Sequence, residues 1–197
     1  RNKISADLHD EVGSNLSSIA IFSEVLKKKL PKNDNELKPI IDKIIDNSKE
    51  SVGLMQDTVW TLNPNNDTPE KLFSKIENYA RQVLSARGIM YTQVIDIQPD
   101  QLKLDMENRK NMYLILKEGI NNIGKHSNAR SAELSVIPAK DKIIFQLKDD
   151  GQGFDVSNET AGNGLRNFKE RAEDSGFILK IVSKAGHGTE LSLEVSP

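Results

Sequence analysis

The chain has 197 residues, 37% of them hydrophobic, enough to build one good core or two small ones. Its net charge of -2, spread over 28% charged residues of both signs, supplies neither a basic field for nucleic acid nor an acidic tail. Cysteine is absent, which excludes disulfides and thiolate metal sites and suits a reducing compartment. No run of about 18 apolar residues is available to span a bilayer as a helix, and we expect no signal peptide. Arg1 already lies inside a helical pattern, so we expect a piece of a longer protein whose remaining part has room for membrane segments.

Apolar residues recur at Ile4, Leu8, Val12, Leu16, Ile19, Phe22, Leu26 and Leu30. These steps of three and four predict an amphipathic helix, stopped by Pro31 and a turn at Asn33-Asp34-Asn35. Within it lies Asp7-Leu8-His9-Asp10-Glu11-Val12-Gly13-Ser14. His9 stands at the margin of the apolar stripe. Four residues on, Gly13 lacks the side chain that would otherwise roof it. That glycine costs about 1 kcal/mol of helix propensity relative to alanine. The arrangement suits presentation of an imidazole with carboxylates beside it. On this segment alone, however, an ordinary surface histidine is the better reading.

A second helical pattern runs through Leu37, Ile40, Ile41, Ile44, Ile45, Val52, Met55, Val59 and Leu62, and ends at Asn63-Pro64. Two long amphipathic helices on a short loop form a hairpin that cannot cover both of its stripes. We expect it to dimerise into a four-helix bundle rather than fold its stripe onto the second domain. Trp60 is expected as an apolar wedge at the hairpin's base, and Lys27-Lys28-Lys29 as a solvated helix end.

The boundary is placed between residues 1–64 and 65–197. Asn66-Asp67-Thr68-Pro69 reads as linker and helix cap. A helix is expected from Pro69 to Arg87, closed by Gly88, then a strand over Met90 to Ile97 and a helix over Met106 to His126. Ser131 to Val136 and Ile143 to Lys148 read as a strand hairpin. A polar, glycine-rich stretch over Asp149 to Asn163 leads to a helix over Leu165 to Ser175. Strands at Ile178 to Ser183 and Glu190 to Val195 flank a turn at Lys184-Ala185-Gly186-His187-Gly188. The class is α+β: a helical hairpin followed by helices and antiparallel strands in a two-layer α/β sandwich.

Three clusters in this second part bear chemistry. In Glu118-Gly119-Ile120-Asn121-Asn122-Ile123-Gly124-Lys125-His126, Glu118 and Asn122 are four apart and share a helix face, with Lys125 three residues on. Carboxylate, carboxamide oxygen and ammonium together suit a hydrated Mg²⁺ and a triphosphate, but a solvent-facing polar helix side would look the same. In Asp149-Asp150-Gly151-Gln152-Gly153, a carboxylate ends a strand where it can accept from an amino group, and glycines let backbone approach a planar ring; alone, the string is equally a turn. In Gly162-Asn163-Gly164-Leu165, glycines open a helix whose N–H groups can seat phosphate, although glycine loops are common.

The order and spacing of these clusters resemble the N, G1 and G2 boxes of the GHKL (Bergerat-type) ATP-binding fold of gyrase-like ATPases and histidine kinases. With the upstream Leu8-His9-Asp10-Glu11-Val12-Gly13 and the hairpin-ending Leu62-Asn63-Pro64, the whole chain resembles the catalytic core of a bacterial sensor histidine kinase of the NarX/DesK-like class. That core pairs a HisKA type 3 dimerisation domain with a GHKL domain. Carried over residue by residue, the resemblance makes His9 the phospho-accepting histidine, Asp10 its acid/base neighbour, and Glu118 the N-box acid. Asn122 becomes the Mg²⁺ ligand, and Lys125 and His126 contacts near the phosphates. Asp149 becomes the adenine-reading carboxylate, with Gly151 and Gly153 beside it. Phe154 to Ala161 would be an ATP lid, Gly162, Gly164 and Leu165 its phosphate-side hinge and the following helix start, and Thr189 the closure of the adenine pocket. An unprotonated imidazole oriented by a carboxylate is the nucleophile such a transfer needs.

The implied activity is ATP- and Mg²⁺-dependent autophosphorylation of His9 within a homodimer, then transfer to an aspartate of a response regulator. We expect no direct contact with nucleic acid, a cytoplasmic location, and membrane attachment only through a missing N-terminal sensor region. One position departs from the class: where a glutamine often follows the aspartate by four residues, this chain has Ser14. The phosphatase activity expected is therefore weak. Two rivals are a GHKL serine/threonine kinase of the anti-sigma-factor type, against which His9 on its hairpin argues, and a non-catalytic ATP-binding scaffold, against which Glu118, Asn122 and Asp149 together argue.

Overall fold

A computed structural model describes Val12 and residues 14–31, 36–155 and 163–196, with the backbone alone for Ser14, Asn163 and Gly164. His9, Asp10, Gly13, the turn residues Asn33, Asp34 and Asn35, most of the expected lid, and Gly162 lie outside the described residues. The chain divides into two compact units, Arg1–Asp67 and Thr68–Pro197.

The first unit is a helical hairpin of α1 (Ser14–Lys29) and α2 (Leu37–Leu62). Ion pairs of Lys27 with Asp42 at 2.6 Å and of Glu24 with Lys49 at 2.7 Å link positions that converge in one helix and diverge in the other, so the helices run antiparallel. Both pairs are exposed to solvent, which screens them, so they set register more than stability. Apolar burial is thin: Ala20, Ile41 and Ile45 are covered, whereas Ile21, Phe22, Leu26, Ile40 and Leu54 stay exposed. Asn63 ends α2 and caps a short 3₁₀ turn, Pro64–Asn66, by accepting from the Asn65 N–H at 3.0 Å. Trp60 is half-buried, and its carbonyl accepts from the Asn66 side chain. Among the described residues no helix is long and apolar enough to cross a membrane.

The second unit runs α3 (Pro69–Ser85), β1 (Met90–Ile95), α4 (Met106–Asn122), β2 (Ser131–Ala139), β3 (Lys142–Asp149), α5 (Asn163–Asp174), β4 (Ile178–Ser183) and β5 (Thr189–Val195). Thr68 caps α3, with Pro69 at the first helical position. Its strands form one five-stranded sheet of order β1-β2-β3-β5-β4. The expectation of antiparallel strands needs one correction: β1 pairs with β2 in parallel. The reason is α4, which intervenes between them and carries the chain back to the same sheet end, a crossover that antiparallel neighbours do not need.

Alternation sorts the sheet into two faces. The inward row of β3 is Ile143, Phe145, Leu147 and Asp149, all buried. Register sets it beside Val195, Leu193, Leu191 and Thr189 of β5, and beside Pro138, Val136, Leu134 and Ala132 of β2. The apolar side chains of these rows other than Pro138, with Leu72, Ile76, Ala80 and Leu84 of α3, Met112, Ile115, Leu116 and Ile120 of α4, and Phe168 and Ala172 of α5, form one core. The other face is open, with Met90, Ile178 and Val182 exposed. On that face Glu194 is bridged by Lys142 and Lys180. The sandwich thus has two layers, and its inward rows end, at one edge of the core, in polar side chains.

Candidate functional site

Asp105 caps the helix that supplies the first wall by accepting from the Asn108 N–H at 2.7 Å. Near the far end of α4, Glu118 and Asn122 are both half-buried, and both line a cavity of about 460 Å³. Between them Gly119 lets α4 press closely on β3: a Cβ there would stand 2.8 Å from Leu147 Cδ2, and the leucine side chain would have to shift to admit it. The expected helix to His126 is interrupted. Regular α-helix stops at Asn122, and Ile123–Ser127 is a wider π turn ending at Asn128, whose φ is 52°. That widening changes which side chains share a face. His126 remains on the cavity, while Lys125 is exposed and not among its lining residues.

The two adjacent aspartates separate by alternation. Asp149 is 4% exposed at the end of the inward row of β3. It accepts from the Gly151 N–H at 2.8 Å, and burial nonetheless raises its carboxyl above the ordinary aspartate value, against backbone donation from Gly151 and Thr189. Among the described residues no cation pairs with it. Asp150 points outward and ties β3 to the start of β2, accepting from the N–H groups of Arg130 and Ser131 at 2.8 and 2.9 Å and from the Ser131 hydroxyl at 2.9 Å. The Ser131 backbone is the main cause of its lowered pKa. One carboxylate therefore serves the cavity and its neighbour serves the fold.

The glycines of this loop are demanded by close approach. A Cβ on Gly151 would lie 2.2 Å from the Ser127 carbonyl oxygen, and one on Gly153, at φ 57°, 2.2 Å from that of Lys184. Between them Gln152, not singled out in the sequence, acts as a clamp. Its N–H and side-chain amide donate to the carbonyls of Ser127 and His126, both at 2.7 Å, and its own carbonyl accepts from the Gly186 N–H at 2.6 Å. The Asn128 side chain donates to its amide oxygen at 3.2 Å. The loop is thus bound to the π turn on one side and to the β4–β5 turn on the other.

Gly164 falls in the first turn of α5, which begins at Asn163 rather than Leu165. Leu165 and Phe168 line the cavity together with Ile123, Leu147, Ile181, Leu191 and Phe154, and Thr189 lies on the same lining beside Asp149. Gly151 supports the loop without lining the cavity. The structure therefore brings together Glu118, Asn122, His126, Asp149, Gly153, Leu165 and Thr189 from four separate stretches of chain. The apolar lining residues lacked a distinguishing signal in the sequence, because they follow the same periodicity as the rest of the core.

The cavity suits a partly apolar small-molecule ligand that carries a hydrogen-bond donor, by three features. Its size lies in the range of small-molecule sites, its walls are mainly apolar, and one buried acceptor without a counter-cation awaits a donor. Glu118 and Asn122 add oxygen donors of the kind Mg²⁺ takes. Among the described residues no group of three or more His, Cys, Asp or Glu side chains that could hold a metal ion occurs.

Residues 1–67 match the HisKA_3 histidine kinase family model. Over essentially the whole chain, 99%, the sequence is 27% identical to the sensor histidine kinase YhcY of Bacillus subtilis, covering 49% of that protein. It is 26% identical to DesK, another sensor histidine kinase of that organism, again over 99% of this chain and 50% of the relative. The chain thus spans about half the length of these relatives. The histidine kinase domain of a blue-light activated kinase from Erythrobacter litoralis superposes with a TM-score of 0.58 at 15% identity, over 93% of this chain and 94% of that one, so the fold is that of histidine kinase domains. The hairpin, the sandwich with its acceptor-ended cavity, and these likenesses lead to one conclusion: residues 1–67 form a HisKA_3 histidine kinase segment, and the chain as a whole is similar to the cores of sensor histidine kinases.

Proposed function

We propose that this core is an ATP-dependent protein-histidine kinase that phosphorylates His9 in a homodimer and passes the phosphoryl group to an aspartate of a response regulator. The observation that carries this reading is Asp149, buried and without a cation, on the same cavity as Glu118 and Asn122. In this reading the Asp149 carboxylate accepts from the adenine 6-amino group, Thr189 closes that end, and the backbone at Gly153 borders the ring while Gly151 holds the loop behind it. Asn122 holds Mg²⁺, which neutralises phosphate charge when bound. Glu118 stands beside it as the N-box acid. His126 and Lys125 lie toward the phosphates, as do the helix start at Gly164 and Leu165 and the preceding Gly162. His9 supplies an unprotonated nitrogen to the γ-phosphorus, and Asp10 orients the ring and stabilises the charge it acquires. Catalysis is mainly positioning and charge neutralisation.

The homodimer is supported by the exposed Ile21, Phe22, Leu26 and Ile40 of the hairpin, a surface that one copy leaves open to water. ATP dependence sets the core on the cytoplasmic side, whether or not the longer protein is membrane-anchored. The reading is tested by incubating the chain with γ-labelled ATP and following the label through acid and base. We expect an acid-labile, base-stable phosphoramidate, lost in His9→Gln while nucleotide binding persists. Label stable to acid, or retained on histidine in that variant, would refute the assignment.

A further inference from the structure

Ser183, at the end of β4, does not line the cavity, yet it touches the residue that does. It faces Thr189 across the β4–β5 register, and Thr189 in turn faces Asp149 across β5–β3. A serine hydroxyl has one proton and two lone pairs. Three groups surround the Ser183 Oγ: the Phe154 N–H at 2.9 Å, the Gly188 carbonyl oxygen at 3.1 Å and the Thr189 Oγ1 at 2.9 Å. A carbonyl can only accept, so the serine proton goes to Gly188. An N–H can only donate, so Phe154 takes one lone pair. The second lone pair meets Thr189, whose hydroxyl must therefore be the donor in that contact.

With its proton committed to Ser183, the Thr189 Oγ1 has only lone pairs left for a ligand. Beside it, the ionised Asp149 carboxylate is also acceptor-only. This end of the cavity thus presents acceptors and wants a donor. We propose that Ser183 is a positioning residue that sets the hydrogen-bond polarity of Thr189, and so the preference for a 6-amino over a 6-oxo purine. The inference rests on the nucleotide-site reading above, and adds to it a residue that acts only through its neighbour.

Inosine triphosphate is the discriminating probe, because it replaces the 6-amino donor of ATP with an oxo acceptor. Both nucleotides are titrated, with Mg²⁺, into the 197-residue chain and its variants. Ser183→Ala frees the Thr189 proton, so the ATP-over-ITP affinity ratio should fall about three- to tenfold. Ser183→Thr, which keeps the oxygen, should hold the ratio. Loosening of the Phe154 and Gly188 backbone would weaken both nucleotides alike and leave the ratio unchanged. In a Thr189→Val background, Ser183→Ala should no longer move it. An unchanged ratio in Ser183→Ala overturns the proposal. If that variant does not fold, Thr189→Val decides, since loss of the acceptor must lower the ratio and an unaltered one overturns the idea. Failure of the unmutated chain to bind either nucleotide is a different result, and overturns the nucleotide-site reading together with this inference.

Discussion

The hairpin and the α/β unit solve the burial problem in opposite ways. The α/β unit encloses the middle of its inward rows: Phe145, Leu134, Leu193 and Val136 are each 0% exposed. The hairpin leaves Phe22 71% exposed and covers little more than Ala20, Ile41 and Ile45. Yet both are written in equally regular apolar periods. A periodic stripe states that a face wants covering, and says nothing of whether the cover comes from the same chain. The α/β unit can hold a preorganised cavity because it is closed. The hairpin leaves its apolar stripe open, and the proposed homodimer is what would cover it.

The largest effect that should separate the two is at Phe145. Phe145→Ala opens a cavity in the closed core and should cost about 3–5 kcal/mol, read as a lowered urea midpoint of the α/β unit with loss of nucleotide binding. Phe22→Asp should leave that midpoint where it is and shift the chain toward monomer in ultracentrifugation at micromolar concentration. If Phe22→Asp lowers the α/β midpoint, or leaves self-association intact, the contrast fails.

Next in size is Asp149→Asn. Replacing the anionic acceptor should weaken ATP binding by about 1.5–3 kcal/mol in calorimetry. Because burial raises the Asp149 pKa, the folded chain holds this proton more tightly than the unfolded one. Its ionised form is then a burden above the folded pKa, relieved as pH falls through it. Asp149→Asn should therefore stabilise the fold at neutral pH while it weakens ATP, and the affinity of the unmutated chain should begin to fall at a pH above the ordinary aspartate value of 3.8. Unchanged affinity, or loss of both stability and affinity, would remove Asp149 from the ligand's path.

Glu194 gives the reverse sign and a smaller effect. Lys142 and Lys180 hold its carboxyl down to about 2, so its contribution is present above its unfolded value of 4.5 and lost as pH falls through about 2. Since it lies on the solvent face of the sheet, Glu194→Gln should matter little, and less at high salt. A large, salt-independent loss on thermal melting would show that the open face contributes more than its exposure allows. The smallest expected change concerns the hairpin alone: Ser14→Gln should raise dephosphorylation of a purified phosphorylated regulator, measured without ATP, and leave autophosphorylation in place. No increase would mean that position 14 does not reach the attacking water.

Much of this was legible in the sequence. Steps of three and four residues marked α1 and α2, and Asn63-Pro64 marked the end of α2 at Leu62. A carboxylate at the end of the strand over Ile143 to Lys148 was expected; that Asp149 continues the inward row of Ile143, Phe145 and Leu147 while Asp150 turns outward is what the structure added. Glu118 and Asn122 shared a face because residues four apart on a helix are neighbours. Tertiary structure decided the rest. The parallel pairing of β1 depends on the sheet edge to which α4 returns the chain, and the path of a crossover is not written in a strand's own pattern. The π turn at Ile123–Ser127, which keeps His126 on the cavity and leaves Lys125 outside its lining, lies within the reach of the clamp formed by Gln152. The contact of Ser183 with Thr189 exists only because the β4–β5 register sets them opposite one another. Periodicity is a property of one segment and survives in the bare sequence; register, crossover and hydrogen-bond polarity are relations between segments, and take their values only when the segments meet.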